Sequence, residues 1–166
     1  RPTHCEPGQA ANGAGLLMGG VSRLSQNGAK VHHHMGVAAF AEYTVAHRGS
    51  MVKVDSSLPF EEAALFGCAV LTGVGAVVNT AKVSAGSTVA VVGLGGVGLN
   101  SVLGAVLSGA REIIALDIHD DKLQMAKQLG ATAIVNAKDA DAIQQVKELT
   151  KGGVDFAFEM AGSVHA

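Results

Sequence analysis

Residues 88–117 read TVAVVGLGGVGLNSVLGAVLSGAREIIALD, and the fold class follows from how this stretch changes its period. A β-branched run from Val89 to Val92 gives way to Gly93-Leu94-Gly95-Gly96-Val97-Gly98, a G-x-G-x-x-G turn. Apolar residues then recur at 99, 102, 103 and 106, the spacing of one helix face. Gly109 and Ala110 close that helix, and Ile113-Ile114-Ala115-Leu116 reads as a second buried strand ending in Asp117. Each glycine has its own task at such a turn. Gly93 lets the chain turn sharply, Gly95 lets backbone approach a pyrophosphate, and Gly98 lets helix pack close on strand. The free N–H groups and positive end of the new helix suit phosphate. Asp117, nineteen residues beyond Gly98, stands where a carboxylate can accept both hydroxyls of a ribose. Together these features predict a dinucleotide site.

Working outward, the alternation continues. Asp120 to Leu129 is predicted helical, Gly130 stops it, and Ala133-Ile134-Val135 is a third strand. Ile143, Val146 and Leu149 put one apolar stripe on a helix from about 139 to 150, and 154–159 reads as a fourth strand. The expected fold class is α/β: a parallel sheet of order 3-2-1-4 with helices on both faces, half of a doubly wound Rossmann sheet. Its last strand should be an exposed edge.

Upstream, residues 1–30 are punctuated by Pro7-Gly8, Asn12-Gly13, Gly19-Gly20 and Asn27-Gly28 and read as loop. Residues 40–45 alternate like a strand, and Met51-Val52-Lys53-Val54 suggests another. Pro59 opens a short helix with Glu61 and Glu62 near its positive end; a stop is expected around Gly67, then a second helix from Leu71 to Ala81. His32-His33-His34 is internal, and neighbours in an extended chain point to opposite faces, so the three should not share a metal.

Composition narrows the function classes. A net charge of −2 offers no basic field for nucleic acid, and aromatics at 4% supply few stacking platforms. No charged residue stands between Lys82 and Arg111, but the glycine density of that window suits a buried strand and helix better than a membrane span. A Rossmann-like methyltransferase also uses a glycine turn and an acidic strand end, though usually without the full G-x-G-x-x-G spacing. Two cysteines, Cys5 and Cys68, make no disulfide framework. The expectation is a cytoplasmic chain cut at both ends.

The motifs also add up to a resemblance. Gly67-Cys68-Ala69-Val70-Leu71-Thr72-Gly73, the turn 93–98, Asp117 with Lys122, and Gly152-Gly153-Val154-Asp155-Phe156 occur in the order seen in zinc-dependent medium-chain alcohol dehydrogenases. Phe40-Ala41-Glu42-Tyr43 and Cys5-Glu6-Pro7-Gly8 fit the same template. The resemblance implies a fragment of an NAD-dependent oxidoreductase. Residues 1–69 would be the end of a β-rich, GroES-like catalytic domain, and 70–166 the first half of an NAD-binding domain.

By that resemblance, Gly93, Leu94, Gly95, Gly96, Val97 and Gly98 hold the pyrophosphate, Asp117 and Lys122 meet the adenosine ribose, and Thr72 lies beside the nicotinamide. Cys68 is one of three protein ligands of a catalytic zinc, Cys5 the last of four thiolates around a structural zinc, and His34 and Met35 line the substrate pocket. The remaining zinc ligands are expected before Arg1, so neither site is complete in this chain and the chain alone should be inactive. Implied partners are an alcohol or aldehyde, neither nucleic acid nor membrane, and further copies of the parent. Two alternatives remain. One is a zinc-free quinone or enone reductase of the same superfamily, against which both cysteines stand. The other is a nucleotide-binding remnant without catalysis.

Overall fold

The computed structural model describes residues 6–164. Packing divides the chain into two compact units, Arg1–Ser56 and Ser57–Ala166. That division falls ahead of the expected 69/70 boundary, because the helical segment after Pro59 packs with the parallel sheet's own helices.

The first unit is not the loop-then-strands arrangement expected. Helix α1 spans Glu6–Gly13, with Pro7 in its first turn, where a missing N–H costs nothing. An antiparallel hairpin follows, β1 Leu24–Gln26 and β2 Ala29–Val31, paired Leu24 with Val31 and Gln26 with Ala29. Its turn is Asn27-Gly28, both at positive φ (50° and 77°), as a two-residue turn of this hand requires. The strands expected at 40–45 and 51–54 do not form. Alternation makes a strand only where a neighbour takes up its backbone groups, and Phe40, Tyr43 and Val52 stand exposed, with no strand partner among the described residues. So the expected β-rich unit is reduced to this hairpin among the described residues. Only Leu17 and His33 are buried among the unit's described residues.

In the second unit the expected stop at Gly67 is absent. A continuous helical segment runs Phe60–Ala81, with α-helical stretches α2 (Phe60–Leu65) and α3 (Leu71–Gly75). Wider π turns at Phe66–Val70 and Ala76–Ala81 join and end them. One glycine costs a helix about 1 kcal/mol, too little to break it, and the π turn absorbs the irregularity. By length and composition this helix is apolar enough to cross a membrane. Yet Gly73 packs it against the following helix: a Cβ there would lie 2.4 Å from the Val97 carbonyl oxygen. The charge-free window 83–110 holds a strand and a separate helix, as expected.

The sheet follows the predicted plan. Strands β3 Thr88–Val92, β4 Glu112–Asp117, β5 Ala133–Asn136 and β6 Phe156–Glu159 are parallel in the order β5-β4-β3-β6. Helices α4 Gly96–Leu107, α5 Asp120–Gln128 and α6 Ala142–Thr150 connect them. Alternate strand residues serve opposite faces. Val89, Val91, Ile113, Ala115 and Phe158 pack with Val102 and Ala105 of α4 and Leu123 and Ala126 of α5. Ala90, Ile114, Leu116 and Val135 pack on the other face with Ala142 and Val146 of α6. Because both faces are covered, the central strands are apolar runs rather than alternating ones.

Strand β6 starts at Phe156, two residues later than expected, because Asp155 is engaged sideways. Its Oδ2 accepts the Thr88 N–H at 2.8 Å and the Thr88 hydroxyl at 2.9 Å. Its own N–H is shared between the Thr88 hydroxyl and carbonyl oxygens.

Candidate functional site

The site is built at the carboxyl ends of β3 and β4. Gly93 leaves β3 at φ +89°, while its N–H still donates to the Leu116 carbonyl at 2.8 Å. That is the sharp turn required of it. Gly98, in the first turn of α4, is buried, and a Cβ there would fall 1.8 Å from the Gly93 carbonyl oxygen. No larger residue lets α4 start so close to the strand.

Gly95 precedes the first turn of α4 with extended backbone, and no side chain caps the helix. Among the described residues no acceptor meets the first amides of α4, and nothing lies within 4 Å of a Cβ added at Gly95. Gly95 and Gly96 are exposed and Val97 is half-buried. Exposed, uncapped amides beside a glycine are a cradle that phosphate oxygens fit.

Asp117, buried at the end of β4, faces this turn. Its Oδ2 accepts the Leu94 N–H at 2.7 Å and its Oδ1 the His119 N–H at 3.0 Å. Burial pushes the carboxyl pKa up. The bonds from Leu94 and His119, helped by the positive charge of Lys122, outweigh it and leave the pKa below its ordinary value. The group is a fixed anion at neutral pH. A carboxylate offers about four lone-pair sites, so two donors leave capacity for ribose hydroxyls. Lys122 is half-buried on the third residue of α5.

Across the turn, the π segment Phe66–Val70 lies along the start of α4: a Cβ on Gly96 would meet the Ala69 methyl at 3.5 Å. Cys68 is a free, exposed thiol on that segment, and Thr72 is exposed on α3. The fold thus brings the Cys68 segment beside the glycine turn. Among the described residues, no three of His, Cys, Asp and Glu converge as a metal would require. Cys68 offers a single thiol, which alone does not fit the three protein ligands that a catalytic zinc needs. Cys5 lies outside the described residues.

The histidine triplet splits as alternation requires. His32 and His34 are exposed, and His33 turns inward, its Nε2 accepting the Arg23 N–H at 3.3 Å. Met35 is exposed at φ +56° and lines a cavity of about 330 Å³ within the first unit, with Leu16, Met18 and His47. His34 does not line it. The Leu94–Asp117 bond and the Thr88–Asp155 clasp were not legible in the sequence, since each joins residues adjacent only in the sheet. The inward turn of His33 carried a signal, the period of two.

The architecture defines a Rossmann-type α/β unit with a glycine turn where the strand order reverses. The family model described as zinc-binding dehydrogenase matches residues 96–166. The alcohol dehydrogenase zinc-binding domain protein from Burkholderia ambifaria is 35% identical with a TM-score of 0.80, over 96% of this chain and 47% of that one. Benzyl alcohol dehydrogenase from Acinetobacter calcoaceticus is 36% identical with a TM-score of 0.76, over 96% and 46%. 2R,3R-butanediol dehydrogenase from Bacillus subtilis is 34% identical with a TM-score of 0.56, over 67% and 31%. Residues 96–166 match the zinc-binding dehydrogenase family, and the chain fits a fragment of it. It spans about half the length of the first two structures.

Proposed function

We propose that this chain is the nucleotide-binding part of an NAD-dependent oxidoreductase whose substrate is a small alcohol or aldehyde. The observation that carries the proposal is the pairing of an open, uncapped helix start at Gly95 with a buried carboxylate, Asp117, at the neighbouring strand end. NAD, when bound, supplies the hydride acceptor. The amides at the start of α4 hold its pyrophosphate, Asp117 orients the adenosine ribose, and Thr72 on α3 faces the other half. The family's alcohol dehydrogenases support the substrate class.

Asp117 also sets the cofactor choice. A 2′-phosphate beside it places like charges together, worth about 4 kcal/mol per unit pair at ~4 Å and an effective dielectric of ~20. A third of that is already about tenfold in affinity. Titrating the chain with NADH and NADPH, following nicotinamide fluorescence, should give at least about tenfold tighter NADH binding. In Asp117→Ser the preference should shrink toward parity. Equal affinities in the unchanged chain would contradict the assignment.

A further inference from the structure

A carboxylate that no site assignment uses stands on the far side of the glycine turn. Strand β6 ends at Glu159, and the ladder continues one step as the Met160 N–H donates to the Val92 carbonyl at 2.8 Å. Glu159 then folds the chain back over its own strand end. A single oxygen, Oε1, accepts the N–H of Ala161 at 2.7 Å and of Gly162 at 2.8 Å. This seats Ala161 directly on Gly93: a Cβ on Gly93 would lie 2.5 Å from the Ala161 nitrogen and 2.7 Å from its Cα. The Cβ of Met160 stands 3.6 Å from where a Gly98 Cβ would be. Both glycines that shape the turn therefore rest on the segment 160–162, and Glu159 holds that segment.

The position in the sheet gives this contact a functional sense. Strand β6 flanks β3 on one side, while β4 and β5 lie on the other. Open α/β sheets bind ligands outside the carboxyl ends of their strands at this reversal of order. Asp117 ends the strand on one side of the crevice, and Glu159 ends the strand on the other.

We propose that Glu159 is a positioning residue for the nucleotide, bracing the phosphate turn through Ala161 without touching the ligand. The proposal rests on the nucleotide reading above. The relevant property is the acceptor oxygen, not the charge. A glutamine keeps a carbonyl oxygen at the same reach, whereas an alanine leaves two amides without their acceptor.

The test uses the 166-residue chain and its Glu159→Ala and Glu159→Gln variants, titrated with NADH and with ADP, beside thermal melts without nucleotide. Glu159→Ala should bind both ligands about tenfold more weakly, the size of one lost hydrogen bond to a charged group. Glu159→Gln should stay within about threefold of the unchanged chain. ADP carries the pyrophosphate but no nicotinamide, so an equal loss for both ligands locates the effect at the turn. Unaltered affinity in Glu159→Ala, with or without a lowered melting point, would overturn the proposal. Equal losses in both variants would overturn it too, since charge would then be the operative property. A loss confined to NADH would do the same by indicating direct contact with the second nucleotide half. Absence of binding to either ligand by the unchanged chain would overturn the nucleotide reading itself.

Discussion

Asp117 holds the end of β4 to the glycine turn, accepting the Leu94 N–H at 2.7 Å and the His119 N–H at 3.0 Å. That an aspartate ends the second strand, nineteen residues beyond the glycine turn, was legible as a motif. That the same carboxylate ties the turn to the strand through Leu94 was not, because the bond exists only once β3 and β4 are side by side. Hydrogen bonds to a charged group contribute about 1.5–3 kcal/mol, so Asp117→Ala should lower unfolding stability by roughly that amount in a urea titration. Asp155 is shifted in the same direction, chiefly by the backbone and hydroxyl bonds from Thr88. For both groups the folded pKa lies below the unfolded one, so the unfolded chain binds protons more readily. Their stabilisation is therefore complete above the ordinary aspartate pKa of about 4 and is lost as pH falls through the folded values. Urea midpoints should be flat in this respect above about pH 5 and drop in acid. Replacing Asp117 and Asp155 together by Asn should flatten that acid slope. Cys68, exposed and outside these networks, should be replaceable by Ser with no more than about a twofold change in NADH affinity, measured in the same titration.

At the scale of elements, the βαβ alternation was legible because burial on both faces leaves long apolar runs bounded by glycines. The hairpin was missed although Asn27-Gly28 is a strong two-residue turn signal, since strands of three residues are too short to show a period. The continuous helix is not legible because Gly67 reads as a breaker, although one glycine costs a helix only about 1 kcal/mol. Two substitutions separate these effects. Gly67 has nothing within 4 Å of an added Cβ, so Gly67→Ala should be neutral or stabilise by up to about 1 kcal/mol. At Gly73 an added Cβ meets the Val97 carbonyl at 2.4 Å and the Asn100 Cβ at 2.7 Å. Gly73→Ala must push α3 from α4 and should destabilise by about 1–3 kcal/mol. Thermal melts of the two variants check both signs, and a stabilised Gly73→Ala would refute the close helix contact.

Across the whole molecule, strand β6 pairs only with β3 among the described residues, and its outer backbone groups form an open edge. Open edges template pairing with other chains. Size-exclusion chromatography over a range of concentrations should therefore show self-association, and a clean, concentration-independent monomer would contradict it. The parallel sheet is legible in the βαβ alternation and its strand order in the handedness of the crossovers; the division at residue 56 is not, because it depends on which helix packs where. The proposed nucleotide site lies in the second unit, and the most direct measurement follows backbone amide NMR signals of the chain during titration with NADH. Binding at the strand reversal predicts the largest shifts at Gly95, Gly96 and Val97, smaller ones at Leu94 and Ala161, and none at β1 or β2. Saturating NADH that leaves the amides of 94–98 unmoved, or moves those of the hairpin instead, would contradict it.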